Sequence, residues 1–201
     1  MAYHGYIPHI HSILSNFENP RILEIGICDG ISTFSLLQRI CRTHRKFKYT
    51  GVDVLLRKPV IETLRYMMFD KDQIVELVEE NSLKYLKNTN DVFDVIFVDG
   101  DHNYYTVSKE LEFLEGLSYN KTIIVCDDYS GRWSNRDLFY SEKEIYKDNE
   151  KVTQRISAEK EGVQPAVDDF IKNNDNWIRL FLMEGEPVVL IRKDNPFLRY
   201  E

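Results

Sequence analysis

The chain has 201 residues, 43% of them hydrophobic and 29% charged, which is the composition of a single globular domain with a sizeable core and excludes a disordered chain. Its 26 basic and 33 acidic residues give a net charge of −7, which argues against nonspecific binding to nucleic acid or to an anionic membrane surface. No apolar run approaches the roughly 18 residues that a membrane-spanning helix needs.

Short apolar runs alternate with segments of helical periodicity along the chain. In order, they predict a strand at residues 21–25, a helix at 32–41, a strand at 48–53, a helix at 59–69, a strand at 74–78, a helix at 82–86, a strand at 92–98, a helix at 104–117, a strand at 122–126, a helix at 163–172, and strands at 177–183 and 187–192. This order predicts an α/β fold with a Rossmann-like, doubly wound, mostly parallel seven-stranded sheet, which ends in a C-terminal antiparallel hairpin.

We expect one domain over residues 1–201. Within it, residues 1–20 are expected to form an N-terminal substrate or lid segment. The polar, irregular stretch at residues 129–161 is expected to be a loop on the acceptor side, because long loops in compact domains usually serve as lids or binding loops.

The three cysteines form no CxxC pair, and the N-terminus lacks the basic and apolar regions of a signal peptide. Reduced thiols and a cytoplasmic protein are therefore expected.

A turn containing Gly26 and Gly30 follows the first predicted strand. Glycine permits a tight turn and a close approach of ligand to backbone, but this spacing lacks the third glycine of a dinucleotide fingerprint. The acidic Glu24 before the turn also suits a cationic ligand group better than a phosphate. The alternative is a plain turn between strand and helix.

The second and third predicted strands end in residues that suit a nucleoside. Asp53 is placed to accept hydrogen bonds from two ribose hydroxyls. The amide of Asn81 or the hydroxyl of Ser82 could read an adenine edge, although helix capping by Ser82 explains its position equally well.

Carboxylates crowd the ends of the fourth and fifth predicted strands, at Asp99, Asp101, Asp127 and Asp128. Like charges packed this closely need a cation or a cationic ligand, and oxygen ligands favour Mg²⁺, Mn²⁺ or Ca²⁺ over zinc. The alternative is that these residues cap helices and turns. His102 is either a general base or an ordinary surface residue.

The chain resembles a known family from about residue 20 to residue 193. Residues 22–26 and 30–33 resemble motif I of the class I S-adenosylmethionine-dependent methyltransferases, and Asp53 resembles their acidic ribose-binding position. Residues 97–104 and 126–129 resemble the metal-dependent O-methyltransferase branch, which includes catechol, caffeoyl-CoA and macrocin-type sugar methyltransferases. The sequence as a whole, rather than any one motif, also resembles a methyltransferase domain of a glycan-synthesis enzyme from a large algal virus. A viral protein of this kind is expected in the host cytoplasm.

The resemblance implies S-adenosylmethionine as cofactor. The residues that it assigns to cofactor binding are Glu24, Gly26, Cys28, Gly30, Ile31, Ser32, Asp53, Val54, Asn81, Ser82 and Asp99.

The resemblance also implies Mg²⁺ or Mn²⁺, held by Asp99 or Asp101 together with Asp127 and Asp128. His102 lies where the catechol enzymes carry a catalytic lysine, and it is expected to act as the base, with Asp99 and Asp101 beside it in the catalytic group. Asp128 replaces an asparagine of those enzymes, which favours the sugar-modifying relatives.

We therefore expect an enzyme that methylates a hydroxyl of a small-molecule or carbohydrate acceptor, and a sugar is the favoured acceptor. The alternatives are a catechol-type methyltransferase of small phenols and a non-catalytic module that binds adenosine or nucleotide sugars. No nucleic-acid or membrane partner is expected, and a homo-oligomer is left open.

Overall fold

The computed structural model of the chain describes residues 7–181 and 187–198. Its helices are α1 (Ile7–Leu14), α2 (Ile31–Thr43), α3 (Lys58–Tyr66), α4 (Ser82–Asn88), α5 (Tyr104–Gly116) and α6 (Val163–Asn173). Its strands are β1 (Arg21–Ile25), β2 (Phe47–Asp53), β3 (Gln73–Glu79), β4 (Val95–Val98), β5 (Ile123–Cys126), β6 (Trp177–Phe181) and β7 (Val188–Arg192). Residues 184–186, which join the two strands of the predicted C-terminal hairpin, lie outside the described residues.

The seven strands form one sheet in the order β3-β2-β1-β4-β5-β7-β6. The first five strands are parallel, whereas β7 is antiparallel to both β5 and β6. This arrangement confirms the predicted Rossmann-like sheet with an antiparallel end. Strand order reverses between β1 and β4, which is where open α/β sheets bind their ligands.

Helices cover both faces of the sheet, so its central strands are buried on both sides and read as nearly continuous apolar runs. Helices α1, α2 and α3 pack on one face, where Ile22 of β1 and Phe97 of β4 lie in the core. Helices α4, α5 and α6 pack on the other face, against Leu23 of β1 and Ile96 of β4. None of the described helices is both long and apolar enough to cross a membrane.

Three local features differ from the sequence prediction. Helix α1 was not predicted, although Ile10 and Leu14 are four residues apart and fully buried. Strand β4 begins at Val95, three residues later than predicted, and just before it the carboxylate of Asp94 accepts the Arg21 N–H at 2.7 Å. The loop at residues 129–161 contains two short 3₁₀ turns, Tyr140–Glu142 and Glu144–Tyr146.

Candidate functional site

A cavity of about 540 Å³ opens at the carboxyl ends of β1, β2, β3 and β4, next to the reversal of strand order. Eight of the predicted site residues line it, namely Gly26, Cys28, Asp53, Val54, Asn81, Ser82, Asp99 and Asp101.

Gly26 lets the turn after β1 lie directly against the end of β4. Its φ is 90°, which L side chains rarely adopt. A Cβ atom at this position would lie 2.1 Å from the backbone oxygen of Asp99. Only glycine therefore fits between the two strand ends, and this close approach forms the floor of the cavity.

The carboxylate of Asp53, at the end of β2, organises the same turn. One of its oxygens accepts the N–H groups of Ile27 at 2.7 Å and of Cys28 at 2.9 Å, and the other accepts the Leu55 N–H at 2.9 Å. A carboxylate offers about four acceptor sites. Asp53 thus retains capacity for a ligand hydroxyl while it fixes the glycine-rich turn.

The remaining predicted cofactor residues surround the cavity without lining it. Glu24 is fully buried below it, where its carboxylate accepts hydrogen bonds from the Thr33 hydroxyl at 2.9 Å and from the Tyr49 hydroxyl. Burial, and then the charge of Glu24, raise the pKa of Tyr49 well above its usual value. The other three residues lie at the start of α2, and they are Gly30, Ile31 and Ser32.

Residues 140–153 of the long loop, here called the roof segment, cover the cavity. Its lining side chains, which sequence reasoning largely missed, are Tyr140, Tyr146, Val152 and Thr153. The Asn149 amide donates to the Val54 carbonyl at 2.9 Å, and the Asn81 amide donates to the Lys151 carbonyl at 2.8 Å. These hydrogen bonds attach the roof segment to the ends of β2 and β3. In the sequence, the aromatic residues within this otherwise polar stretch are the signal that it packs over a site.

Four residues beside the cavity form a group that we call the acidic cluster: Asp99, His102, Asp127 and Asp128. One ligand atom from each of the first three lies within 4.8 Å of the others, so these three could hold a metal ion. The Nε2 atom of His102 lies 3.6 Å from Oδ1 of Asp99 and 3.5 Å from Oδ2 of Asp128. The ends of β4 and β5 bring the cluster together, as the sequence predicts.

Burial and mutual repulsion set the charge state of the acidic cluster. Burial, and then the neighbouring Asp127, raise the pKa of Asp99 well above its usual value. Burial lowers the pKa of His102 to about 4, although Asp128 opposes that shift. The imidazole is therefore neutral at pH 7, so it has one ring nitrogen free of a proton that can accept a hydrogen bond or bind a cation. A bound cation would relieve this repulsion between the carboxylates.

Asp101 does not join the acidic cluster. Its carboxylate accepts the Thr106 hydroxyl at 3.2 Å, and the side chain lines the cavity instead. Burial raises its pKa to about 6. Asp99 and Asp101 were both predicted as metal ligands after the fourth strand. In the structure, Asp99 lies with Asp127 and Asp128, whereas Asp101 does not.

A buried acid that sequence reasoning missed lies beneath the cavity. Glu110 of α5 is fully buried, and a Cβ at the lining residue Gly100 would be 3.9 Å from its Oε1 atom. Burial raises the pKa of Glu110 to about 8, partly offset by the nearby Ser82 hydroxyl. Within the described part of the chain, neither carboxyl oxygen has a partner at hydrogen-bonding geometry. The sequence feature that indicates its burial is its position on the same face of α5 as Val107, Leu111 and Leu114.

Comparisons with known proteins agree with this geometry. The model of a family described as a methyltransferase domain matches residues 23–129. No curated protein sequence matches the chain significantly.

Solved structures show the same fold at low sequence identity. A methyltransferase of Podospora anserina, PaMTH1, solved with S-adenosylhomocysteine bound, is 21% identical and covers 94% of this chain and 78% of its own, with a TM-score of 0.61. A Staphylococcus aureus protein assigned as a caffeoyl-CoA O-methyltransferase is 19% identical, covering 92% and 81%, with a TM-score of 0.61. CalS11, a TDP-rhamnose 3′-O-methyltransferase of calicheamicin biosynthesis, is 13% identical, covering 94% and 78%, with a TM-score of 0.58.

Proposed function

The chain belongs to the methyltransferase-domain family, and on that premise we propose that it transfers a methyl group from S-adenosylmethionine to a hydroxyl of a sugar, with Mg²⁺ or Mn²⁺ in the acidic cluster. The observation that carries this proposal is the position of that cluster. Asp99 belongs to it and also lines the cavity that fits the cofactor. A methyl donor in the cavity and a hydroxyl at the cluster would therefore be neighbours.

The cavity residues fit the parts of S-adenosylmethionine. Asp53 is placed to accept hydrogen bonds from the ribose hydroxyls, while Asn81 and Ser82 lie at the next strand end, where the adenine would sit. The roof segment covers this region and would exclude water from the bound cofactor. The cofactor of PaMTH1 supports the assignment.

The acidic cluster fits a divalent cation. Asp99 and Asp127 supply the oxygen ligands that Mg²⁺ and Mn²⁺ prefer, and Asp128, whose Oδ2 atom lies 3.5 Å from Nε2 of His102, would complete the set. When bound there, a cation would lower the pKa of an acceptor hydroxyl and orient it.

The protein itself would supply a base and a fixed geometry. The neutral imidazole of His102 would take the proton of the acceptor hydroxyl. Because the cofactor already carries an activated methyl group, the remaining requirement is to hold the hydroxyl in line with it. Such positioning contributes roughly 7–11 kcal/mol to many enzymatic reactions.

A sugar is favoured over a catechol for two reasons. The pair Asp127 and Asp128 departs from the catechol enzymes, which carry asparagine at the second position. The loop at residues 129–161 is also largely polar in sequence, as expected beside a carbohydrate site, and CalS11 supplies a precedent on the same fold.

The test is methyl transfer from labelled S-adenosylmethionine to a panel of sugars, nucleotide sugars and catechols, with and without chelator. We expect transfer to a sugar hydroxyl, loss of turnover in chelator, and recovery with Mg²⁺ or Mn²⁺. Asp127→Asn should abolish turnover, whereas Asp175→Asn, at an exposed turn far along the chain, serves as the matched control. Full activity in chelator would overturn the metal assignment, and transfer to catechols alone would overturn the acceptor assignment.

A further inference from the structure

Two guanidinium groups share one indole ring shortly after the acidic cluster. The Cζ atom of Arg132 lies 4.9 Å from the ring centroid of Trp133, and that of Arg136 lies 4.7 Å from it. Both arginines are exposed, and among the described residues no carboxylate forms an ion pair with either. In a protein of net charge −7, this is an uncompensated pair of positive charges held together.

Both ends of the segment that carries this pair are attached to the acidic cluster. At the start, the Gly131 N–H donates to the Asp128 carbonyl at 3.2 Å, and at the end the Leu138 N–H donates to the His102 carbonyl at 3.0 Å. Consecutive Cα atoms are about 3.8 Å apart, so Arg136 lies at most about 8 Å, Cα to Cα, from Leu138. The segment that carries the two arginines is therefore attached at both ends to the backbone of residues in the acidic cluster.

The start of α6 holds this segment rigid. The Val163 N–H donates to the Trp133 carbonyl at 3.0 Å, and the Gly162 N–H donates to the Asp137 carboxylate at 2.7 Å. Gly162 has a φ of 88°, and a Cβ there would lie 2.3 Å from the Ser134 carbonyl oxygen. Because the backbone is fixed and the indole orders both side chains, an anion bound by these arginines would cost little conformational entropy.

We propose that Arg132 and Arg136 bind a phosphate group of the acceptor, so that the sugar to be methylated carries a phosphate ester. Guanidinium groups present a planar fork of donors that matches phosphate oxygens in pairs. A doubly anionic group would also relieve the repulsion between the two adjacent cations. This inference rests on the proposed function, since it names the class of acceptor for the same site.

The test is calorimetric binding to protein saturated with S-adenosylhomocysteine, in chelator, so that phosphate oxygens bind through neither the cofactor cavity nor a metal ion. The probes are inorganic pyrophosphate, glucose 1-phosphate, UDP-glucose and unmodified glucose. We expect the phosphorylated probes to bind and glucose to bind at least tenfold more weakly. UDP-glucose binding tighter than glucose 1-phosphate would identify a nucleoside diphosphate sugar, and equal affinity would identify a sugar monophosphate.

Substitutions of Arg132 and Arg136 test whether these two residues bind the phosphorylated probes. Arg132→Ala and Arg136→Ala should each weaken phosphorylated probes about tenfold, the usual worth of a charged hydrogen bond, and Arg136→Lys should restore part of the loss. The matched control is Arg155→Ala, since Arg155 also lies over an aromatic ring, that of Phe139, but is paired with Glu142. The proposal is overturned if no phosphorylated probe binds, or if the double alanine variant binds as tightly as the parent. Failure of S-adenosylhomocysteine to bind would instead overturn the proposed function.

Discussion

Asp53 holds Cys28 in a left-handed backbone conformation. The N–H of Cys28 donates to the Asp53 carboxylate at 2.9 Å while the φ of Cys28 is 50°, a region that costs a non-glycine residue about 1–2 kcal/mol. The same carboxylate lines the cavity. One side chain thus shapes the turn after β1 and faces the ligand, so the strained turn and the ribose site depend on the same group.

Asp53→Ala should weaken the binding of S-adenosylmethionine and S-adenosylhomocysteine by about 10- to 100-fold, because it removes a charged acceptor from the ribose. Calorimetric titration of both ligands is the measurement. Asp70→Ala, an exposed aspartate before β3, is the matched control. Unchanged affinity in Asp53→Ala would show that the ribose binds elsewhere.

Gly26→Ala should destabilise the fold by about 2 kcal/mol or more, since the new Cβ collides with the Asp99 backbone and the φ of 90° is unfavourable for alanine. Gly116→Ala, at the end of α5 with no atom within 4 Å of the new Cβ, should change stability by less than about 1 kcal/mol. Chemical denaturation of both variants gives the comparison. Similar losses in the two would contradict the close contact between β1 and β4.

His102→Ala should lower the maximal rate by about 10²–10⁴, the usual contribution of a general base. Cofactor affinity should stay the same, because the ring lies in the acidic cluster. Mn²⁺ titration separates two roles: we expect Asp127→Asn to lose Mn²⁺ binding and His102→Ala to keep it. Loss in both variants would make His102 a metal ligand and leave another group as the base.

Glu110 should make stability depend on pH. Its pKa is raised to about 8 by burial, against about 4.3 in an unfolded chain. The folded state therefore holds a proton that the unfolded state releases between these values. Its contribution to stability is complete below about pH 4.3 and is lost as pH rises through about 8.

Glu110→Gln should accordingly gain stability relative to the parent as pH rises from 5 to 8.5, by a few kcal/mol at most. Melting temperatures across that range, with Glu112→Gln as the control on the exposed side of the same helix, provide the measurement. Parallel melting curves for Glu110→Gln and the parent at every pH would refute the buried neutral acid.

Much of the fold and of the site's location follows from the sequence for a physical reason. Strands that are buried on both faces are largely apolar, so β1, β4 and β5 can be predicted from their own sequences alone. The carboxyl ends of parallel strands lie at the same edge of the sheet. The sequence therefore predicts that Asp53, Asp99 and Asp127, which end or follow β2, β4 and β5, lie near one another.

Other features depend on contacts that spacing does not encode. Asp99 and Asp101 are two residues apart after the same strand, yet Asp101 lies apart from the other carboxylates, where it accepts the Thr106 hydroxyl of α5. The lining role of Tyr146 and Thr153 likewise arises because an irregular loop folds back over β2 and β3. The position of such a segment cannot be predicted from residue periodicity, because individual side-chain hydrogen bonds determine where its backbone runs.

The place of β7 in the sheet has a consequence for biosynthesis. β7 follows β6 in the sequence yet lies between β5 and β6, so among the described strands β6 reaches the parallel sheet only through β7. The order of assembly therefore differs from the order of synthesis. A ribosome-bound chain can complete the parallel strands, but β6 must wait for β7 to emerge before its backbone groups find their partners, and loss of β7 would leave two strand edges exposed to aggregation.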